Sequence, residues 1–341
     1  MHDLCRGRIV VTGGAGLIGS ALIWALNRRG LEDILVVDRL DHSEKWKHLV
    51  PLRFADCIDA DEFERATMER RPFGDVRTVF HFGACSSTTE TDSGYLLRNN
   101  YEYTKRLALW SIEQEARLIY ASSAATYGGL EADLSDEADL YTLRPLNGYA
   151  YSKHLFDLYA QRTGLDMRVC GLKYFNVFGP NEDHKGDMRS LVQKAFEQIR
   201  ESGGVRLFKS HRPQYRDGEQ RRDFIYVKDA VEMTLHVAES DATGLFNIGT
   251  GTAHTWLDLV GPIFRALELP ERIEFVEMPL HLRDKYQYYT CARMARLYAT
   301  GYDRPVTPLG DAVTDYVINY LVPQRHLELG DAPIATLLKA M

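Results

Sequence analysis

Short apolar, β-branched runs alternate along this chain with longer stretches in which apolar residues recur at helical spacing. Ile9-Val10-Val11-Thr12 and Ile34-Leu35-Val36-Val37 read as the first two strands, 78–82 as a fourth, 118–122 as a fifth and 168–172 as a sixth. Helices are expected over 94–115, 149–163 and 228–239, with helical spacing again over 187–201. Such alternation predicts an α/β fold: a doubly wound parallel sheet of the Rossmann type, binding ligands at the carboxyl ends of its strands. Gly179-Pro180-Asn181 then breaks the pattern, and 203–222 is rich in Gly, Pro and Arg. A dinucleotide-binding domain is therefore expected over 1–178, completed by 223–260, where Phe224-Ile225-Tyr226-Val227 returns to it as a short strand. Residues 179–222 and 261–322 would form a smaller C-terminal α/β substrate domain, followed by a tail over 323–341. Pro262, inside an apolar-periodic stretch, predicts a kink or an interrupted helix.

The turn after the first strand carries the first chemistry. Gly13, Gly16 and Gly19 are spaced so that backbone can approach a pyrophosphate, with the positive end of the following helix behind it. The second strand ends in Asp38, placed to bond ribose hydroxyls. That residue alone favours NAD, but Arg39 and Lys45 follow it and can pair with a 2′-phosphate, so NADP is the expected cofactor and NAD the alternative. The small-residue stretch Gly83-Ala84-Cys85-Ser86, after the fourth strand, would pass beneath the nicotinamide half.

Composition narrows the class. The 341 residues are 45% apolar, enough for two cores, and the net charge of −7 argues against a nucleic-acid partner. Five cysteines show no paired metal-type spacing, so no metal is expected and the thiols read as reduced, in a cytoplasmic protein. No stretch approaches the roughly 20 apolar residues that span a bilayer, so no membrane association is expected.

Tyr149 and Lys153 stand four apart in a predicted helix and so share a face. A neighbouring ammonium favours the phenolate, which would let Tyr149 take a proton from a sugar hydroxyl. The same spacing occurs at Tyr101 and Lys105; what sets Tyr149 apart is Ser122-Ser123 at the end of the fifth strand. Ser123 and Asn176 both fall at strand ends, although each residue type also caps turns. Arg206, Lys209, Arg212, Arg216, Arg221 and Arg222 cluster in the Arg-rich loop, where a cation can hold a nucleotide-sugar diphosphate, Arg221 or Arg222 foremost.

With these residues the chain resembles the extended short-chain dehydrogenase/reductases that act on nucleotide sugars. Three segments, 83–90, 120–129 and 179–186, are similar to those of the ADP-L-glycero-D-manno-heptose 6-epimerase family, a likeness that runs over about 8–322. The resemblance implies an epimerase that inverts C6 of an ADP-heptose for lipopolysaccharide, by transient oxidation and hydride return, and that is a homo-oligomer. It implies Tyr149 and Lys185 as the acid/base pair, Ser123 as a support for the reacting oxygen and Lys153 as cofactor ligand and tuner of the tyrosine. It also implies cofactor contacts from Leu17, Ile18, Phe82, Asn99, Val177 and Lys185. Substrate contacts are implied for Ser123, Asn176, Asp187, Lys194, Phe208, Lys209, Ser210, His211, Arg222 and Tyr286. Phe82 stands where the family has a glutamate, Lys173 where it has an arginine, and 210–220 is longer than usual. Another nucleotide-sugar epimerase or dehydratase, or a non-catalytic NADP-binding sensor, would share the glycine loop; the second need not keep Tyr149, Lys153 and Ser123.

Overall fold

A computed structural model describes residues 1–283 and 286–332, apart from the side chains of 281 and 282. In chain order the strands are β1 (Arg8–Thr12), β2 (Ile34–Asp38), β3 (Asp56–Asp59), β4 (Val76–His81), β5 (Arg117–Ser123), β6 (Cys170–Tyr174) and β7 (Asn176–Phe178). There follow β8 (Val205–Phe208), β9 (Arg221–Arg222), β10 (Phe224–Tyr226), β11 (Gly244–Ile248), β12 (His254–Thr255) and β13 (Ile273–Val276). Seven of them form a parallel sheet in the order β11-β6-β5-β4-β1-β2-β3.

The period of two along each strand divides the core. Ile9, Val11, Val36, Phe80 and Ile119 face one apolar cluster, with Trp24 of the helix Leu17–Arg28 and Val231 of the helix Val227–Glu239. Val10, Leu35, Val37, Val79 and Leu118 face the other, with Phe63, Trp110 and Phe156 from helices on the opposite side. Because β1 and β2 are buried on both faces, they read as unbroken apolar runs. The chain runs from β1 outward to β3, then returns to place β4 on the other side of β1. Ligands bind at the carboxyl ends beside such a reversal, where the loops after β1 and β4 meet.

Several elements differ from expectation. The third strand, implied by counting 78–82 as the fourth, had no position in the sequence: Asp56-Cys57-Ile58-Asp59 is an edge strand, mostly exposed, with little apolar signal. The helix expected over 94–115 is three pieces, Ser93–Leu96, a π-helical Leu97–Glu102 and Tyr103–Glu113. β10 does not join the main sheet but pairs with β7, and β8 pairs with β13 in a separate two-stranded sheet. The helix Trp256–Ala266 runs unbroken through Pro262 and packs against Leu191–Ser202 and Leu309–Tyr316. The segment after Pro323 packs on the helix Leu17–Arg28: Leu327 is fully buried, and Trp24 donates to the Glu328 carbonyl at 2.8 Å. The rest of the expected tail, 333–341, lies outside the described residues. No helix of the described residues is long and apolar enough to cross a membrane.

Candidate active site

The glycine loop is built by close approach of backbone. Gly13 has φ +67°, and a Cβ there would lie 2.6 Å from the Gly83 nitrogen; a Cβ on Gly19 would lie 2.1 Å from the Gly13 oxygen. No other residue type fits either position without moving the loop. The helix Leu17–Arg28 follows with no side-chain cap and no carboxylate in its first turn, so its first amides are left for a ligand. The residues therefore fit a dinucleotide pyrophosphate.

Asp38 is drawn into this loop. Its carboxylate accepts from the Ala15 and Arg39 amides, each at 2.8 Å, and from Lys45 Nζ at 2.7 Å. Arg39 in turn donates to Asp61 and, at 2.7 Å, to Asn99 Oδ1. Its hydrogen bond to Asp61 raises the guanidinium pKa further. Arg39, Asn99, Cys85 and Tyr95 line a cavity of about 180 Å³ beside Asp38.

That cavity shares Gly13, Asp38, Lys45, Gly83 and Ala84 with a cleft of about 300 Å³. Gly16, Leu17, Ile18, Gly19, Phe82, Ser86, Ser123, Tyr149, Lys153, Val177 and Lys185 also line the cleft. Every residue expected at the cofactor thus falls on one cavity or the other. Asn100, one position from Asn99, is the residue that sequence reasoning overlooked. Buried, it accepts from the Cys85 amide at 2.8 Å and donates to the Cys85 carbonyl and Ser152 Oγ at 3.0 Å, holding the 83–86 stretch against the helix that carries Tyr149.

That helix, Gly148–Thr163, starts at Asn147, whose side chain accepts from the Ala150 amide at 2.8 Å. Burial raises the Tyr149 pKa, and a hydrogen bond with the Ser123 hydroxyl acts against the rise. The expectation that Lys153 depresses this phenol is not met. Lys153 Nζ donates instead to the Ala121 carbonyl at 2.8 Å, and burial brings its own pKa down to about 8 against the pull of Asp157. Asp157 lies in a closed network. It accepts from Lys173 Nζ at 2.7 Å, Ser122 Oγ at 2.8 Å and Tyr120 at 3.0 Å, while Lys173 also reaches Thr126.

A larger cleft of about 550 Å³ meets the first, sharing Ser86, Phe175, Val177 and Lys185. Asn176, Lys194, Phe208 and Tyr286 line it as expected, as does Arg206 of the Arg-rich loop, together with Arg189 and Trp256, which were not singled out for it. Trp256 was not distinguishable in the sequence, because its role depends on where β12 delivers it. Burial lowers the Lys185 pKa, offset in part by Glu182. The buried Glu182 carboxylate accepts the Ser190 amide at 2.5 Å and its hydroxyl at 2.6 Å, which shapes the loop around Lys185.

Four expected substrate contacts lie off this lining, three of them engaged by local partners. Lys209 pairs with Glu277 at 3.0 Å, the Ser210 amide with Asp217 at 2.7 Å, and the His211 amide with the Tyr288 hydroxyl at 2.8 Å. Asp187 is exposed, and only its carbonyl is engaged, by Lys194. Arg222 is also absent from the lining. It sits buried just behind it, its guanidinium 5.2 Å from the Tyr286 ring centroid and 5.8 Å from that of Trp256.

Residues 9–249 match the NAD dependent epimerase/dehydratase family. The chain belongs to that family. It is 50% identical over 314 residues to the ADP-L-glycero-D-manno-heptose-6-epimerase of Nitratidesulfovibrio vulgaris, covering 92% of this chain and 97% of that protein. Two solved structures share the fold of this epimerase/dehydratase. One is ADP-L-glycero-D-manno-heptose-6-epimerase from Helicobacter pylori, with TM-score 0.76 and 24% identity, covering 92% of this chain and 95% of that one. The other is UDP-glucose 4-epimerase from Thermus thermophilus in complex with NAD, with TM-score 0.71 and 27% identity, covering 91% and 97%.

Proposed function

We propose that this epimerase/dehydratase inverts C6 of the heptose in ADP-D-glycero-D-manno-heptose, giving the L-glycero epimer, with NADP as its resident dinucleotide. The bound dinucleotide supplies a reversible hydride acceptor, and the chain's residues supply binding, orientation and proton transfer. Tyr149 takes the proton from the C6 hydroxyl in one orientation of the sugar and returns it in reverse, while Ser123 donates a hydrogen bond to the same oxygen. Lys185 serves the other orientation, in which the opposite face of C6 is presented. Burial favours its neutral amine, the form able to accept a proton. Asn176 and Lys194 border the sugar and diphosphate, and Arg222 fixes the aromatic wall of Trp256 and Tyr286. Arg39 and Lys45, beside the small cavity, are the cations for a 2′-phosphate. A cytoplasmic location and self-association belong to the same reading.

The observation that carries it is the position of Lys185 at the junction of the two clefts, with Tyr149 on the inner one. A reaction at one face needs only the tyrosine. Tyr149→Phe and Lys185→Ala should each lower epimerase turnover by about 10²- to 10⁴-fold. Full turnover in Lys185→Ala would overturn the two-base reading. Dinucleotide released from the denatured protein should be NADP; NAD in its place would overturn the cofactor assignment.

A further inference from the structure

Three side chains to which the proposed chemistry assigns no step converge beside the glycine loop, one of them, His184, on the lining of the cofactor cleft. His48 ends the 3-10 turn Glu44–His48, and Asp183 and His184 open the turn Asp183–Met188 that carries Lys185. One donor atom from each lies within 4.8 Å of the other two.

Hydrogen-bond accounting shows what they lack. His48 is fully buried, and its Nδ1 lies 2.7 Å from the Ala15 carbonyl, which can only accept. Nδ1 therefore carries the proton, and in the neutral ring Nε2 presents a lone pair. That lone pair faces Asp183 Oδ1 at 2.8 Å, an acceptor facing an acceptor. A proton between them would resolve this one contact. It would not serve His184, whose buried Nδ1 has no hydrogen-bond partner, and whose ring stands 5.1 Å from that of His48. One cation can satisfy all three donors.

We propose that His48 Nε2, the Asp183 carboxylate and His184 Nδ1 form a binding site for a divalent transition metal of the zinc type. Two imidazoles and a carboxylate suit such an ion and leave a fourth position open. The bond from His48 to the Ala15 carbonyl is the outer-shell contact that orients a ligating imidazole. His326, from the C-terminal segment, flanks the site with Nε2 3.6 Å from the same Asp183 oxygen. The ion would tie the Lys185 turn to the cofactor loop and to that segment.

The test is calorimetric titration of chelator-treated full-length protein with Zn²⁺, beside His184→Ala and Asp183→Asn, both changed at positions that are not buried. One Zn²⁺ per chain is expected, with binding at least about tenfold weaker in each variant. Absence of stoichiometric uptake, or equal affinity in both variants, would overturn the site; the first result would assign a proton to the His48–Asp183 contact. Should a variant fail to fold, Co²⁺ added to the unaltered chain decides. Paramagnetically shifted ring-proton resonances from two histidines are expected, and their absence counts against the site.

Discussion

Lys153 links burial to chemistry at a single residue. Its ammonium is held against the Ala121 carbonyl, and burial brings its pKa to about 8. A lysine is charged below its pKa and neutral above it, so its positive charge is present at neutral pH and lost as pH rises through about 8. That charge lines the dinucleotide cleft beside Tyr149, where it can pair with an anionic cofactor. The kcat/KM profile should therefore fall above about pH 8. In Lys153→Arg, whose guanidinium stays charged, the fall should move beyond pH 10. An unchanged falling limb in that variant would show that another group is titrating. Tyr149 and Lys153 were legible as a pair from their spacing, but the direction of the tyrosine shift was not, because it is set by burial in the folded molecule.

At the level of elements, the network on β5, β6 and the Tyr149 helix holds Ser123 in place. Lys173 and Asp157 are both buried and bonded to each other, and Tyr120, Ser122 and Thr126 complete their hydrogen bonds. Removing one partner leaves a buried charge uncompensated. Lys173→Ala should lower the unfolding free energy in urea by about 3–5 kcal/mol. A loss under about 1 kcal/mol would mean that the network does not support the sheet. Elements were legible where burial is two-sided, as in β1 and β2, and where glycine geometry is obligatory, as at Gly13 and Gly19. β3 escaped because an edge strand needs few apolar residues, and β8 with β13 because partners 68 residues apart leave no local pattern. The residues expected at Lys209, Ser210 and His211 lie off the cleft because loop side chains obey nearby partners that spacing does not reveal.

At the scale of the whole molecule, two clefts meet at Lys185. The inner one joins the glycine loop to Ser123, Tyr149 and Lys153; the outer one is walled by Asn176, Lys194, Phe208, Trp256 and Tyr286. Lys185 stood out in the sequence only through its resemblance to a family segment, since a loop lysine is ordinarily a solvated charge. Folding gives it a physical distinction: Glu182 and Ser190 shape its turn, and burial favours its neutral form. Such a site should handle both products of its own reaction without net oxidation. The most direct measurement is to incubate the purified protein, with no added dinucleotide, separately with each C6 epimer of the ADP-heptose and to follow the epimer ratio. Convergence of both incubations on one ratio is the predicted result. Failure of either epimer to convert, or conversion only when dinucleotide is supplied and consumed in proportion to product, would contradict the account.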